Sequence, residues 1–329
     1  MTVTALSDAL TKKAKELLDQ KKVDRVVGWT KGEFAYDPSP AVFESSAELS
    51  DFVYDDFCGA NLSKYLITQS KKQGKTAVFL KPCDTYSFNQ LVKENRINRD
   101  DVLVIGVECQ GKIDDFKTEK CGITGVTGER YDGNDVIFDT VDGVKTAKKQ
   151  DVLLEKCLTC KSKKFAVSDE TIVLQDMQES DLDRFGKVKE LEGMSPDERF
   201  AFWKNELSRC IRCNACRNVC PACSCVKCVF DNPKSGVAAK ANDDAFEEQL
   251  FHVIRAFHVA GRCTDCGECS RVCPQRIPLH LINRKFIKDI NVLYGDYQAG
   301  QDAEGKTPVT DYSCDDPDPK DALTKTEGK

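Results

Sequence analysis

The 329-residue chain lacks several features that other classes of protein need. No apolar run approaches the roughly 18 residues of a membrane span, and no charged start followed by an apolar stretch marks a signal peptide. The net charge of -6 is scattered, without a basic stripe, which argues against nucleic acid as a partner. No G-x-G-x-x-G motif follows a predicted strand, so a Rossmann dinucleotide site is not supported. These absences predict a cytoplasmic protein without a membrane span.

Cysteine, in contrast, is abundant, with 18 residues. In a reducing compartment so many thiols indicate metal binding rather than disulfides. Two four-cysteine runs repeat each other, each followed by proline, and every member is displaced by 53 positions. The first run contains Cys210, Cys213, Cys216 and Cys220, and the second contains Cys263, Cys266, Cys269 and Cys273.

Both runs read C-x-x-C-x-x-C-x-x-x-C-P, the spacing by which bacterial-type ferredoxins hold two four-iron four-sulfur clusters. In that arrangement each run supplies three thiolates to one cluster and its fourth thiolate to the other. A zinc knuckle or a disulfide framework is the alternative, but neither usually repeats this spacing. We therefore predict cluster 1 on Cys210, Cys213, Cys216 and Cys273, and cluster 2 on Cys263, Cys266, Cys269 and Cys220.

Residues 1–178 are predicted to form an α/β domain with a small parallel or mixed sheet. Two apolar strands, at 76–80 and 101–107, flank a helix at 85–94 and predict a parallel β-α-β unit. Other predicted elements are a helix at 4–20, strands at 23–29 and 34–36, helices at 47–57 and 61–73, and an antiparallel segment at 123–145. The carboxyl ends of parallel strands are where such folds place their sites, and here they carry Cys83 and Cys109.

A third cluster is predicted in this domain. Its expected ligands are Cys109, Cys121, Cys157 and Cys160, with Cys83 as an alternative to Cys109 or Cys121. Only Cys157-Leu-Thr-Cys160 has the local spacing of metal ligands. Cys58 is interpreted as a small buried residue.

The C-terminal half is predicted to be helical. Residues 179–194 are interpreted as a linker and 299–329, which include Cys314, as a disordered acidic tail. Ser195-Pro-Asp-Glu198 predicts a capped helix start with Phe200, Trp203 and Leu207 on its inner face. A second helix, with an apolar stripe at Phe246, Leu250, Val253, Ile254 and Phe257, joins the cysteine runs, and a third is expected at 279–292. Residues 195–298 should therefore form an α-helical ferredoxin-like domain with two clusters.

For three cysteines and three histidines of this half, the sequence allows more than one role. Cys223, Cys225 and Cys228 either bind a further metal or lie as spare thiols beside cluster 1. His252, His258 and His280 are the only histidines, and each could donate a hydrogen bond to a cluster. We expect them instead to be solvated or half-buried.

Several motifs together resemble a known family: Lys81-Pro-Cys-Asp84, Ile105-Gly-Val-Glu-Cys109, Cys157-Leu-Thr-Cys160, the dense run from Cys210 to Cys228, and Gly261-Arg-Cys-Thr-Asp-Cys-Gly-Glu-Cys269. Over about residues 50–292 the chain resembles the beta subunits of deazaflavin-reducing hydrogenases and formate dehydrogenases. A more distant likeness is to the iron-sulfur subunits of anaerobic sulfite reductase and sulfhydrogenase.

The resemblance implies an electron-relay subunit with several clusters and, in some members, an FAD that exchanges a hydride with a deazaflavin. In this chain such a flavin is expected near Lys81, Cys83 and Asp84. Its implied partners are catalytic oxidoreductase subunits of a hydrogenase, formate dehydrogenase or heterodisulfide-reductase-like complex, and carriers such as a ferredoxin or a flavoprotein. We therefore predict a non-catalytic electron-transfer subunit and name no catalytic residues. The alternatives are a flavin-containing subunit that transfers hydride to a deazaflavin or nicotinamide, and an iron-sulfur sensor or structural metal protein.

Overall fold

The first part of the chain is built on two sheets. The structure is a computed structural model that describes residues 3–232, 234 and 245–309. A five-stranded mixed sheet has the order β2-β1-β3-β4-β8, and a three-stranded antiparallel sheet has the order β5-β6-β7. The strands are β1 (Arg25–Thr30), β2 (Ser39–Phe43), β3 (Thr76–Leu80), β4 (Val102–Val107), β5 (Val126–Asp132), β6 (Asp135–Thr140), β7 (Gly143–Lys148) and β8 (Glu170–Ile172).

Helices flank the first sheet and make up most of the C-terminal part. The α-helices are α1 (Val3–Asp19), α2 (Leu66–Gln69), α3 (Pro82–Lys93), α4 (Asp115–Lys120), α5 (Lys149–Val152), α6 (Glu155–Leu158), α7 (Gly186–Gly193), α8 (Pro196–Ser208), α9 (Ala215–Asn218), α10 (Ala245–His258), α11 (Glu268–Arg271) and α12 (Leu279–Tyr294). Single 3-10 turns lie at Ser46–Asp51, Leu62–Tyr65, Arg99–Asp101 and Val229–Asp231.

The predicted β-α-β unit is present as β3-α3-β4. Strands β3 and β4 pair in parallel with Ala77 opposite Leu103, and all five residues of β3 are buried. Burial on both faces explains why the strand is continuously apolar rather than alternating. The mixed sheet is confirmed, and it places Cys83 in the first turn of α3 and Cys109 just beyond β4.

Two predictions for the region between β1 and β3 are wrong. The strand expected at 34–36 is replaced by β2, an edge strand that tolerates Pro40 because its outer side needs no hydrogen-bond partner. The helix expected at 47–57 is reduced to the 3-10 segment Ser46–Asp51, whereas the helix expected at 61–73 is present in shortened form as the 3-10 turn Leu62–Tyr65 followed by α2. Between these two helical segments, lysine side chains donate hydrogen bonds to backbone carbonyls: Lys112 Nζ donates to Asp55 O at 2.7 Å, and Lys81 Nζ donates to Ala60 O at 2.7 Å.

The helix predicted from Ser195 is α8, and its capping box is formed by Ser195 and Glu198. Phe200, however, is 61% exposed, so the buried face of α8 is narrower than predicted and contains Leu207. The segment interpreted as a linker contains α7. This helix buries Val188 and Leu191 and contacts α12.

Helix α10 differs most from its predicted pattern. Phe246 and Phe257 of the expected apolar stripe are exposed, whereas Phe251, His252 and Arg255 are buried. The stripe does not face the core because α10 turns a partly polar face toward the first cysteine run. The predicted tail also begins with packed residues, since Ala299 and Thr307 are both buried. Cys314 lies outside the described residues.

No helix in the described part of the chain is both long and apolar enough to cross a membrane.

A buried cluster of acids joins the two sheets. Glu129 of β5 accepts a hydrogen bond from Asp56 N at 3.0 Å, and Lys112 Nζ lies 3.2 Å from Asp56 Oδ1. Burial, reinforced by the charges of Asp56 and Asp55, raises the pKa of Glu129 to about 8. The folded protein therefore keeps a proton on Glu129 at pH values where the unfolded chain has released it.

This proton predicts a pH-dependent stability. The unfolded chain ionises Glu129 above about pH 4.5, so the free energy of unfolding should fall with rising pH up to about 8, by at most about 1.4 kcal/mol per unit. Glu129→Gln removes this dependence and should narrow the difference in unfolding midpoint between pH 5 and pH 8. Glu119→Gln, at an exposed position, is the control. Equal pH dependence in all three proteins would contradict the expectation.

Candidate iron-sulfur sites

The two cysteine runs share one backbone geometry. Left-handed residues lie at Arg212 (φ 52°) and Asn214 (φ 63°) in the first run and at Asp265 (φ 58°) and Gly267 (φ 68°) in the second. Each left-handed pair is followed by a four-residue helix, α9 or α11, and these helices contact each other. Non-glycine residues adopt this conformation only where the surrounding structure requires it. The repeat in the sequence is therefore also a repeat in structure.

The four predicted ligands of cluster 1 line one small cavity, whose other walls include Phe251, Ile277 and Leu279. These ligands are Cys210, Cys213, Cys216 and Cys273. Burial raises the pKa of the Cys210 thiol to about 12, a value that only a bound cation would overcome at neutral pH. Four thiols converging in an apolar cavity, none of them in a disulfide, fit an iron-sulfur cluster.

Helix α10 adds hydrogen bonds to the sulfurs of this cavity. His252 Nε2 lies 3.2 Å from Cys210 Sγ, and Arg255 Nη1 donates to Cys216 Sγ at 3.1 Å. Burial, followed by the charges of Arg255 and Arg212, lowers the pKa of His252 to about 3. The ring is therefore neutral near pH 7. The expectation of a solvated or half-buried His252 is wrong, and Arg255 was not identified from the sequence, because the apolar stripe hid the buried face.

A competing grouping shares one of these cysteines. The ligand atoms of Cys210, Glu248 and His252 all lie within 4.8 Å of one another, a spacing suited to a single ion. Glu248, however, already pairs with Arg212 Nη1 at 3.5 Å. Because the Cys210 thiolate cannot serve both arrangements, metal analysis separates them: iron with equivalent sulfide indicates the cluster, and zinc indicates the single ion.

The second cysteine run lies deeper in the protein. Burial raises the pKa of the Cys263 thiol, and the negative charges of Asp265, Cys266 and Cys269 raise it further. A hydrogen bond with Cys223 and burial raise the pKa of Cys220, and the charge of Cys266 contributes to that shift. The thiols assigned to cluster 2 are therefore electrostatic neighbours across the two runs. Cys216 packs with Cys269 and Cys273 in one buried cluster, so the two groups adjoin.

The N-terminal domain forms a third cysteine pocket. Four thiols line it, and Cys266 and Asp265 of the second run form part of its wall. The four are Cys83, Cys109, Cys157 and Cys160. Cys121 is not among the lining residues: it is exposed, with its Sγ 4.0 Å from Asp151 O. The structure thus brings the alternative ligand Cys83 to the position that the sequence-based quartet gave to Cys121.

The residues expected beside a flavin are engaged elsewhere. Lys81 Nζ lies 2.7 Å from Asp84 Oδ2, and both side chains are at most 1% exposed. The same ammonium group lies 4.7 Å from the centre of the Trp29 ring. Lys81 and Asp84 therefore stabilise the start of α3 internally.

The remaining thiols of the dense run face different surroundings. Cys223 Sγ lies 3.7 Å from Arg255 Nη2, Cys225 is exposed, and Cys228 packs beside Phe230 and Phe251. A hydrogen bond with Cys220, opposed by burial and aided by Arg255, lowers the pKa of Cys223 to about 5. Cys58 is fully buried in the first core.

A buried ionic group lies between cluster 2 and the N-terminal pocket. Glu268 accepts from Lys156 Nζ at 3.0 Å and from Arg271 Nη2 at 2.9 Å, and its side chain is 2% exposed. Burial alone would raise the pKa of Glu268, but Arg271 and Lys156 outweigh it and hold that pKa well below its usual range. Glu268 also accepts from Asn61 N at 3.2 Å, so it joins the two halves of the chain.

Comparison with known proteins agrees with this arrangement. Residues 206–277 match the family described as the 4Fe-4S dicluster domain. The chain is 28% identical to the F420-dependent formate dehydrogenase subunit beta of Methanocaldococcus jannaschii, over 85% of this chain and 88% of that one. Identity to the F420-dependent formate dehydrogenase 1 subunit beta of Methanococcus maripaludis is 25%, over 93% of each.

A shorter match concerns the cysteine runs. A putative ferredoxin-3 of Sinorhizobium fredii is 36% identical over 75 residues, which are 22% of this chain and 70% of that protein. The formate dehydrogenase subunits match most of the chain, whereas the ferredoxin matches a short part of it. The resemblance drawn from the cysteine motifs is therefore confirmed: over most of its length the chain is similar to beta subunits of F420-dependent formate dehydrogenases, and it is an iron-sulfur electron-transfer subunit of an oxidoreductase complex.

Proposed function

We propose that this chain relays single electrons through three four-iron four-sulfur clusters, between a catalytic oxidoreductase subunit and a second electron carrier. Cluster 1 is assigned to Cys210, Cys213, Cys216 and Cys273, and cluster 2 to Cys263, Cys266, Cys269 and Cys220. The third cluster is assigned to Cys83, Cys109, Cys157 and Cys160. When bound, such clusters accept and release one electron at a time.

The observation that carries this proposal is the shared wall of the N-terminal pocket. Cys266, a predicted ligand of cluster 2, lines the same pocket as the four N-terminal cysteines. Cys269 of the same run packs in one buried cluster with Cys216 of the first cavity. The three cysteine groups therefore form a row, with the second run in the middle. A row of neighbouring one-electron centres suits a relay rather than a set of separate structural metals.

The protein itself would exclude water from the clusters and set their reduction potentials. Apolar side chains enclose the first cavity, and His252 and Arg255 supply hydrogen bonds to its sulfurs. Such bonds stabilise the more negative, reduced state and so raise a potential. At the surface, Cys213 is exposed, which makes cluster 1 the end of the row nearest to an external partner. Because the relatives are named as formate dehydrogenase subunits, we propose a formate dehydrogenase-type catalytic subunit as that partner.

Metal content and electron transfer test the proposal on anaerobically purified protein. We expect about twelve irons and equivalent acid-labile sulfide per chain, against about eight for two clusters. The clusters should be reducible by a low-potential donor and reoxidised by a partner, with no turnover of formate, hydrogen or nicotinamide by the chain alone. Zinc in place of iron, or turnover by the isolated chain, would refute the relay.

The names of the relatives favour a second candidate function. They are described as dependent on F420, a deazaflavin that exchanges a hydride and hence two electrons. Coupling a hydride to one-electron clusters requires a flavin or an equivalent cofactor. A broad cleft beside the second cysteine run, lined by Lys117, Arg209, Arg271 and Arg276, offers space for such a group. Stoichiometric FAD released by acid extraction would favour this candidate, and its absence would leave the relay alone.

A further inference from the structure

The N-terminal cysteine pocket has an unusually basic lining, and most of its cations are neutralised by carboxylates. Lys81 pairs with Asp84 at 2.7 Å, Lys112 with Asp56 at 3.2 Å and Lys156 with Glu268 at 3.0 Å. Arg184 and Arg284 both pair with Asp265 at 2.9 Å. Each of these five cations thus has a carboxylate partner, although the two arginines share one.

Two further lysines line the pocket. Lys161 is exposed, and its Nζ donates to Ser180 O, whereas Lys163 is half-buried. Lys163 lines the pocket with all four cysteines, and its Nζ donates to Cys109 O at 2.7 Å. Within the described ranges, 3–232, 234 and 245–309, no carboxylate lies within ion-pairing distance of this ammonium group. A backbone carbonyl fixes its position without cancelling its charge.

The charge of Lys163 lies beside all four thiols. Its side chain lines the same cavity as Cys83, Cys109, Cys157 and Cys160. In a partly buried site its field is screened less than that of a surface lysine.

We propose that Lys163 is a positioning residue whose fixed, unneutralised ammonium group raises the reduction potential of the cluster held by Cys83, Cys109, Cys157 and Cys160. The inference rests on the proposed function, which places a cluster in this pocket. Adding an electron makes the cluster more negative, so a fixed positive charge stabilises the reduced state more than the oxidised state. The electron is consequently drawn toward the N-terminal end of the row.

The test compares variants by anaerobic redox titration of the full-length holoprotein, monitored by electron paramagnetic resonance, with iron counted in each sample. Lys163→Gln retains a donor for Cys109 O but removes the charge. We expect its third cluster to be harder to reduce, with the reduced-to-oxidised ratio at a fixed potential falling roughly tenfold, which is about 59 mV for one electron. Lys163→Arg should restore the potential.

A matched control stands next to this lysine in the chain. Lys164 is exposed and does not line the pocket, so Lys164→Gln removes the same formal charge at a solvated position. Its potential should equal that of the wild type. A Lys163→Gln protein with full iron and an unchanged potential would overturn the proposal. Loss of about four irons from Lys163→Gln, but not from Lys163→Arg, would overturn it in favour of a role in cluster assembly.

These outcomes are distinct from failure of the proposed function. If the wild-type chain held only about eight irons, the third cluster itself would be refuted before any variant was titrated. If wild type held about twelve and Lys163→Gln retained them without a shift, only the role of Lys163 would fail.

Discussion

Replacing Cys157 and Cys160 together by serine should remove about four irons from a holoprotein that carries about twelve. Serine keeps the size of the side chain but supplies no thiolate, so a cluster that depends on this pair cannot assemble. The signals of the two C-terminal clusters should remain, because their predicted ligands lie on other segments. Iron and acid-labile sulfide analysis, with electron paramagnetic resonance of the reduced protein, measures the result.

Two single variants decide which cysteines complete this third site. Cys83→Ser should lose the same irons, because Cys83 lines the pocket with Cys157 and Cys160. Cys121→Ser should keep them, since Cys121 is exposed and lies outside the lining. The opposite pattern, with loss from Cys121→Ser and retention in Cys83→Ser, would restore the quartet predicted from the sequence. No loss from the double variant would remove the third cluster altogether.

Glu268→Ala should destabilise the protein strongly. The substitution leaves Lys156 and Arg271 as buried cations without their shared carboxylate. Removing one partner of a buried ionic group typically costs about 3–5 kcal/mol, because the remaining charges are desolvated and uncompensated. We expect the thermal unfolding midpoint of the anaerobic holoprotein to fall on the order of 10 °C.

An exposed pair provides the control for this prediction. Glu190 lies 3.8 Å from Lys187, also three residues apart along a helix, but both side chains are more than half exposed. Glu190→Ala should therefore cost no more than about 1 kcal/mol. If both variants unfolded at the same temperature as the wild type, Glu268 would not join the two halves of the chain as its contacts indicate.

The sequence predicted those elements correctly whose structure depends on residues within one continuous segment. The β3-α3-β4 unit follows from two compact apolar runs around a helix, and the start of α8 from a capping box that the structure contains. The exchange of fourth cysteines between the runs follows from a spacing that one loop cannot satisfy alone. In the structure Cys273 indeed lines the cavity of the first run.

Hydrophobic periodicity gave wrong predictions where residues distant in sequence form hydrogen bonds with the segment. The helix predicted at 47–57 ends early because Lys112 donates to the carbonyl of Asp55, and Lys81 likewise donates to the carbonyl of Ala60 in the irregular stretch that follows. Helix α10 turns His252 and Arg255 inward because cysteine sulfurs accept their hydrogen bonds. Neither lysine nor sulfur is close in sequence to the element that it changes, so periodicity alone could not indicate the outcome.

The amino-acid sequence by itself determined the class of this protein, since the spacing of eight cysteines in two equal runs is a local property that identifies a two-cluster ferredoxin motif. Tertiary structure decided the composition of the third pocket. Cys83, Cys109, Cys157 and Cys160 come from separate turns and loops, and their convergence depends on how β3 and β4 pair and how α6 packs beneath the second cysteine run. Cys121 is as close to that set along the chain as Cys109 is, but the end of α4 leaves it at the surface.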